Sequence, residues 1–504
     1  MEFSFLFKNE YEIKTDEPEF FNNLKLDQIR DSIYQKEEDF YLKDYFYTPL
    51  KTQDEIKYRQ DVFNDLINKD YYFEFRNYFG RLYSIYKAFE ANKKSSLTWV
   101  NRHKKIKILG EYINTINKLN EFLNGIEFKS EAINNFKNYL NDFIKGDNFV
   151  KLSTFNNDIK ATFKKIKFSY LIQNSNIYVT PYEGDKEYAS FVNETSEIFT
   201  YNKDLKIPTT ENYVHTDSVD DEIYKALVIL FPKEFKLIKE FFDEIKDFYD
   251  ESLKKIVLDI RFYFIYISYM NFLKSNDIYF SIPELSKDFN EESIDSFDLA
   301  LYYKLFKEHN KIVTNSYKIT NDERMIIITG PNQGGKTTFT RQIGQLHYLA
   351  SLGLLIPGIK NKIHIVDNIY TFFKTEENLD NLDGKLKIEL ESVKKILSNA
   401  SKNSLILFNE IFASTTKLDG LKIANLIMDE INGLGSMCVF VTFLTDLKNR
   451  KDVILMCSNV NKDNSAIRTF KITRTDNFDS AYPSSIQNKY GLTYKEIKER
   501  LKWE

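Results

Sequence analysis

Eight residues, Gly330-Pro331-Asn332-Gln333-Gly334-Gly335-Lys336-Thr337, follow a strand-forming run at 325–328 and lead into a helical stretch. They fit the Walker A spelling G-x-x-x-x-G-K-[ST] without a mismatch. Glycine lets backbone N–H groups turn inward onto phosphate oxygens, and the following helix offers its positive end to them. In that arrangement Lys336 would reach the β- and γ-phosphates and the Thr337 hydroxyl would bind Mg²⁺. Gly330 through Thr338 are therefore the expected ATP-binding residues. Downstream, SLILFNEI (404–411) is an apolar strand ending in Asn409 and Glu410. A strand-end acid would hold the water shell of Mg²⁺, and the next carboxylate would orient or deprotonate the attacking water. Asn409 can support that shell by hydrogen bonding but carries no charge. Glu410 is the expected base, with Lys336 as the second catalytic group.

The elements that must carry these residues are written in the apolar pattern. From about residue 311, short runs (MIIIT, KIHIVD, SLILFNE, CVFVTF, VILMCS, RTFKIT) alternate with helical stretches. Such alternation predicts a sheet with helices packed on it. Earlier residues have few glycines and long helical spacing. The stretch 234–267 lacks Pro and predicts one long helix or two in tandem. A broken segment, 169–218, has polar turns and short strand-like pieces. The chain thus reads as an all-α N-terminal part followed by an α/β C-terminal part.

Composition sets the outer limits. With 504 residues two or three domains are expected, and 43 Phe and 33 Tyr supply ample apolar surface to bury. The net charge of -4 announces no partner held by bulk electrostatics, so any DNA contact must come from local patches. Two cysteines, Cys438 and Cys457, are too few for a disulfide framework or a zinc site and fit a reducing interior. The N-terminus lacks a basic, apolar leader. The apolar stretch 260–273 is shorter than a bilayer span and contains Arg261. A soluble, cytoplasmic protein without a membrane partner is expected.

TGPNQGGKTTFTRQ, then LILFNEIFASTTKLDG (405–420), then VFVTFLTDL (439–447) resemble the ATPase domain of the MutS family of DNA mismatch-repair proteins. Upstream, YFYTPLKTQDEIKYRQDVFNDL (45–66) is similar to the start of that family's helical core. SFDLALYYKL and KIVTNSYKIT are similar to the passage from lever helices into the ATPase domain, and 480–501 resembles the C-terminal helices. The resemblance implies a helical core domain (1–125), lever-type helices with a reduced or absent clamp (126–310), and a P-loop (ABC-type) ATPase domain with C-terminal dimerisation helices (311–504). It also implies DNA as partner, a homodimer, and Asn315 near the adenine; by its own sequence context Asn315 could equally be a turn residue.

Departures from the family pattern matter as much. The usual Asp-Glu pair is Asn409-Glu410, and the usual Thr-His pair is Thr442-Phe443, so the histidine that would sense the γ-phosphate is missing. The loop that would reach the partner's ATP aligns with 381–390 and places Gly384 where the family has Ser. These features match a divergent MutS-like subgroup and make slow or partner-dependent hydrolysis a real option. The mismatch-reading and connector domains would precede residue 45, where there is no room, so mismatch recognition itself is not expected. The resulting expectation is an ATP-hydrolysing dimeric switch acting on DNA, in mismatch-repair-like or branched-DNA processing. The alternative is a slowly hydrolysing, nucleotide-switched scaffold for protein partners.

Other features take plainer readings. The basic segment 91–109, with Trp99, and KATFKKIKF (160–168) are read as solvated helix faces rather than nucleic-acid sites. His347 and His364 lack partners at ligand spacing and are read as structural. Asp419 is read as structural or as a subunit contact.

Overall fold

The computed structural model describes residues 4–94, 98–173, 176–182, 184, 217–244, 247–274, 277–320, 322–373, 384–412, 415–450, 452–461, 467–476 and 497–498. The chain is multidomain, with two compact units: Asn68–Ile260 together with Met1–Ser4, and Phe5–Ile67 together with Arg261–Glu504. The second unit is thus assembled from two stretches of sequence, with the first inserted between them. The divisions between these units fall at 67/68 and 260/261.

Four helices open the second unit: α1 (Phe21–Leu24), α2 (Leu26–Ile33), α3 (Lys43–Phe46) and α4 (Gln53–Ile67). The inserted unit follows with α5 (Lys69–Lys93), α6 (Trp99–Asn124), α7 (Glu131–Lys145), α8 (Asp147–Lys165), α9 (Asp217–Leu230) and α10 (Pro232–Glu244). Its helices start where short polar side chains can cap them. Thr98 accepts from the Asn101 N–H at 3.3 Å, and Ser130 from the Ile133 N–H at 3.2 Å. Phe75 stacks on Phe79, with Phe122 and Phe128 edge-on to Phe75, so aromatics fill much of its core. Trp99 sits edge-on to Phe235 under the Arg102 guanidinium, which gives it a packing role in the basic segment.

This part is not all-α. Strands β1 (Phe168–Gln173) and β2 (Asn176–Pro181) form an antiparallel hairpin in which Leu171 faces Tyr178. Their alternating aromatic and β-branched residues suit a pleated pair. The stretch read as one or two helices resolves into α10 and α11 (Glu251–Leu273), two in tandem. Helix α11 begins well before the apolar stretch 260–273, and among the described residues it is long and apolar enough to cross a membrane, although 67 % of its apolar window is buried in the protein.

In the second unit the sheets begin earlier than residue 311. Strands β3 (Phe280–Ser281), β4 (Glu284–Ser286) and β5 (Glu291–Ser296) precede α12 (Leu299–Lys307) and β6 (Asn315–Ile319). They are short and polar, hence silent in an apolar pattern. Then come β7 (Met325–Thr329), α13 (Lys336–Ser351), β8 (Ile356–Pro357), β9 (Lys360–His364), β10 (Ile369–Phe373), α14 (Lys385–Asn399), β11 (Leu405–Asn409), α15 (Lys417–Leu434), β12 (Met437–Val441), β13 (Val453–Val460) and β14 (Arg468–Arg474).

The main sheet has the order β10-β11-β12-β7-β13-β14, parallel except for the antiparallel edge strand β14. Every residue of β7, β11 and β12 is buried, as expected of central parallel strands covered on both faces. KIHIVD does not join this sheet: its strand β9 lies in a second sheet, β4-β9-β5-β6. Helix α13 is wedged tightly into its surroundings. A Cβ on Gly344 would lie 2.7 Å from Leu24 and 2.8 Å from Leu407. Tyr348 of α13 donates to the Phe46 carbonyl and meets Phe21 edge-on, tying the N-terminal helices to this helix.

Candidate functional site

Strand β7 ends at the centre of the main sheet, and the chain there must reverse sharply to begin α13. The turn uses left-handed backbone at Gly330 (φ 131°), Gln333 (φ 57°) and Gly335 (φ 93°). Strand β13 explains two of the glycines. A Cβ on Gly334 would stand 2.3 Å from Ser458 Oγ, and one on Gly330 would stand 2.9 Å from Ser458 Cβ. Ser458 also donates to the Gly334 carbonyl at 2.6 Å, and Arg468 to the Asn332 carbonyl at 3.2 Å. The loop is therefore pinned from the β13–β14 side.

Lys336 is 4 % exposed, and its ammonium donates to the Gly330 and Pro331 carbonyls at 3.0 and 3.1 Å. Glu410 lies 3.9 Å away and the Phe443 ring centroid 4.6 Å away. Burial pushes the lysine pKa below its ordinary value, against the opposing pull of the Glu410 carboxylate. The Thr337 hydroxyl donates to Asn409 Oδ1 at 3.0 Å. The two strand-end residues thus meet the loop as their spacing suggested.

A cavity of about 430 Å³ opens along this loop. Gln333 to Thr338 and Glu410 line it, together with the apolar side chains of Leu301, Leu305, Ile312, Val313 and Phe470. Gly330, Pro331 and Asn332 shape the turn without lining the cavity, and Asn409 stands behind Thr337. Asn315 lines it as well, but its amide is engaged: Nδ2 donates to the Phe470 carbonyl at 3.1 Å and Oδ1 accepts from the Ile472 N–H at 2.8 Å. It is the first residue of β6, not a free turn residue, and it fixes the stretch of β14 in which Phe470 adopts φ 57°. Lys311 completes the rim.

Sequence spacing did not point to Ser458 and Phe470, brought to the loop by β13 and β14, or to Leu301 and Leu305 of α12, which line the cavity. Asp298 is a further such residue: it caps α12 through the Leu301 N–H at 3.0 Å and pairs with Arg341 at 2.5 Å. His347 and His364, apart in sequence, come together around the buried Glu291. His347 Nε2 is 3.3 Å from that carboxylate, and the His364 N–H donates to it at 3.0 Å. Among the described residues no group of three His, Cys, Asp or Glu side chains is placed to hold a metal. Gly384 precedes α14 directly. Residues 381–383 of the expected partner-facing loop, and 480–501 apart from 497–498, lie outside the described residues.

A family model described as MutS domain V matches residues 326–498. Over 148 residues the chain is 35 % identical to the DNA mismatch repair protein MutS of Halothermothrix orenii, a match covering 28 % of this chain and 16 % of that protein. It is 32 % identical over 197 residues to Endonuclease MutS2 of Staphylococcus saprophyticus, covering 37 % of this chain and 24 % of the relative. With the DNA mismatch repair protein MutS of Bacillus subtilis the figures are 30 % over 187 residues, 37 % and 21 %. The matched part thus spans a quarter or less of each relative's length. Residues 326–498 contain the loop, both strand-end residues and the Ser458 anchor, and over this domain the chain matches the MutS family.

Proposed function

We propose that this chain binds and hydrolyses ATP as a dimeric, DNA-directed switch in the cytoplasm. One observation carries the reading: one cavity of about 430 Å³ is lined both by the glycine loop, Lys336, Thr337 and Glu410 and by apolar side chains that suit a nucleoside. The triphosphate would lie along the loop, with Lys336 leaving the Gly330 and Pro331 carbonyls for the β- and γ-phosphates. The base would enter among Ile312, Val313, Leu301 and Phe470. The Thr337 hydroxyl and the Asn409 amide are hard oxygen donors that fit Mg²⁺, which would neutralise phosphate charge when bound. Glu410 would take the proton of the water whose oxygen attacks the γ-phosphorus, and ADP would leave with the β-phosphate oxygen.

DNA as target follows the relatives, whose names record mismatch repair and endonuclease roles, and a second copy of the chain follows the family resemblance alone. The exposed Leu418 and Leu426 of α15 suit self-association. In this reading ATP closes the dimer, hydrolysis releases it, and the helical core and levers of the N-terminal regions move with nucleotide state. The second reading, a slowly hydrolysing scaffold for protein partners, is favoured by the uncharged Asn409 and by Phe443 standing over Lys336.

Steady-state ATP turnover with plain duplex and branched DNA separates them, with Lys336→Ala as the blank. Glu410→Gln should lose turnover by at least about 100-fold while still binding ATP, the scale of removing a general base. A rate unchanged by Glu410→Gln would reject hydrolysis by Glu410 and leave the scaffold reading.

A further inference from the structure

We propose that Glu389 is a positioning residue for this site: by accepting the Phe412 N–H, its buried carboxylate holds the turn that aims Glu410. The inference rests on the reading of Glu410 as the group that activates water.

The chain bends hard at the end of β11. Glu410 has φ 56° and Phe412 has φ 60°, left-handed conformations that a side chain with a Cβ disfavours. Two such residues within three positions persist only where the surroundings hold them. The Glu410 N–H is held by the Val441 carbonyl at 3.0 Å, one end of the turn. The Phe412 N–H is held by Glu389 Oε2 at 2.9 Å, the other end. Ile411 and Phe412 are both buried, in one apolar cluster with Val393 and Ile396 of α14.

Glu389 itself is 5 % exposed. Burying a carboxylate is costly unless donors are supplied to it, so its presence in this core calls for a reason. Satisfying one N–H is a task that any acceptor oxygen at that point could perform. Placing that acceptor on α14 ties the aim of Glu410 to the position of a helix that begins directly after Gly384. Glu389 reaches neither the cavity nor the loop and acts only through the 410–412 turn.

The test uses the full chain and three variants, with Glu410→Gln as the reference. Glu389→Leu removes the acceptor, and a displacement of order 1 Å at a reacting group costs about 100-fold. The expected result is a fall of roughly 10- to 100-fold in kcat, with ATP affinity unchanged. In the nucleotide-free protein, hydrogen exchange at the 410–412 amides should accelerate. Glu389→Gln keeps an acceptor oxygen and should restore both kcat and amide protection. Should Glu389→Leu fail to fold, Glu389→Asp, one methylene too short to reach, should show the same split between kcat and affinity.

Normal kcat in Glu389→Leu or Glu389→Asp, beside an inactive Glu410→Gln, would overturn the positioning role and leave the reading of Glu410 intact. Equal loss in Glu389→Gln and Glu389→Leu would overturn it too. An active Glu410→Gln would instead remove the reading on which the inference rests.

Discussion

Replacing Gly334 by Ala tests the claim that strand β13, not the nucleotide alone, dictates the glycines of the loop. The added Cβ would stand 2.3 Å from Ser458 Oγ, 3.2 Å from Ser458 Cβ and 2.9 Å from the Pro331 carbonyl. Ser458 can escape only by rotating away from the Gly334 carbonyl it now bonds at 2.6 Å, at a site 2 % exposed. That lost hydrogen bond costs about 1 kcal/mol. The residual crowding against backbone adds about 1–3 kcal/mol, the usual penalty for overpacking. Gly334→Ala should therefore destabilise the nucleotide-free unit by about 2–4 kcal/mol. Ser458→Ala should cost about 1 kcal/mol through the same hydrogen bond.

In the double variant the Oγ clash is gone and the hydrogen bond is lost only once. Its cost should fall short of the sum of the singles by about 1 kcal/mol or more, within the range of contacting residues. The assay is urea unfolding read by hydrogen exchange of peptides covering 325–345, with fluorescent ATP binding measured in parallel. Strictly additive costs would show that Ser458 and Gly334 do not meet as described, and the steric account of the loop would fall.

Two further outcomes are expected. Lys336 has a folded-state pKa below its unfolded value of 10.5, so between the two the unfolded chain binds more protons and stability rises with pH. Unfolding midpoints of the nucleotide-free protein should thus rise relative to Lys336→Met as pH approaches 10.5, and parallel profiles would count against a buried ammonium. Asn409→Asp should lower the Mg²⁺ concentration that half-supports ATP binding by about tenfold or more, the worth of a charge-assisted contact at roughly 1.5–3 kcal/mol. An unmoved Mg²⁺ titration would take position 409 out of the metal shell.

The glycine loop, Lys336, Thr337, Asn409 and Glu410 were legible because each is defined by neighbours a few residues away: an apolar run, a turn, a helix start. Asn315 was ambiguous for the opposite reason. Its amide faces the Phe470 carbonyl and the Ile472 N–H across the β6–β14 approach, which only tertiary pairing creates. Ser458 acts 124 residues from the carbonyl it holds, so no spacing rule could associate the two. Strands β3 to β5 were invisible because their residues are polar and their runs short. The hairpin β1–β2 lay in a segment whose short strand-like pieces are broken up by polar turns. The apolar stretch 260–273 fell short of a bilayer span because Lys254, Lys255 and Asp259 interrupt the apolar run without interrupting α11. The buried meeting of His347, His364 and Glu291 needed two strands of one sheet, β5 and β9, and α13 to bring it about.

The split second unit has a consequence for how the chain is made. Phe46 and Tyr348 share a buried hydrogen bond across 302 positions, and Leu24 offers its carbonyl to Gln345 across 321. At a synthesis rate of about 5–20 residues per second, the first helices leave the ribosome roughly 15–60 s before their partners on α13 exist. For that interval Phe21 and Phe46 can meet each other but lack Tyr348, and Leu24 lacks Gly344 and Gln345. The inserted helical unit is complete within that wait and can fold while the opening segment is still exposed. Chaperone occupancy early in translation, and sensitivity to pauses between codons 68 and 350, are therefore built into the order in which this fold is threaded.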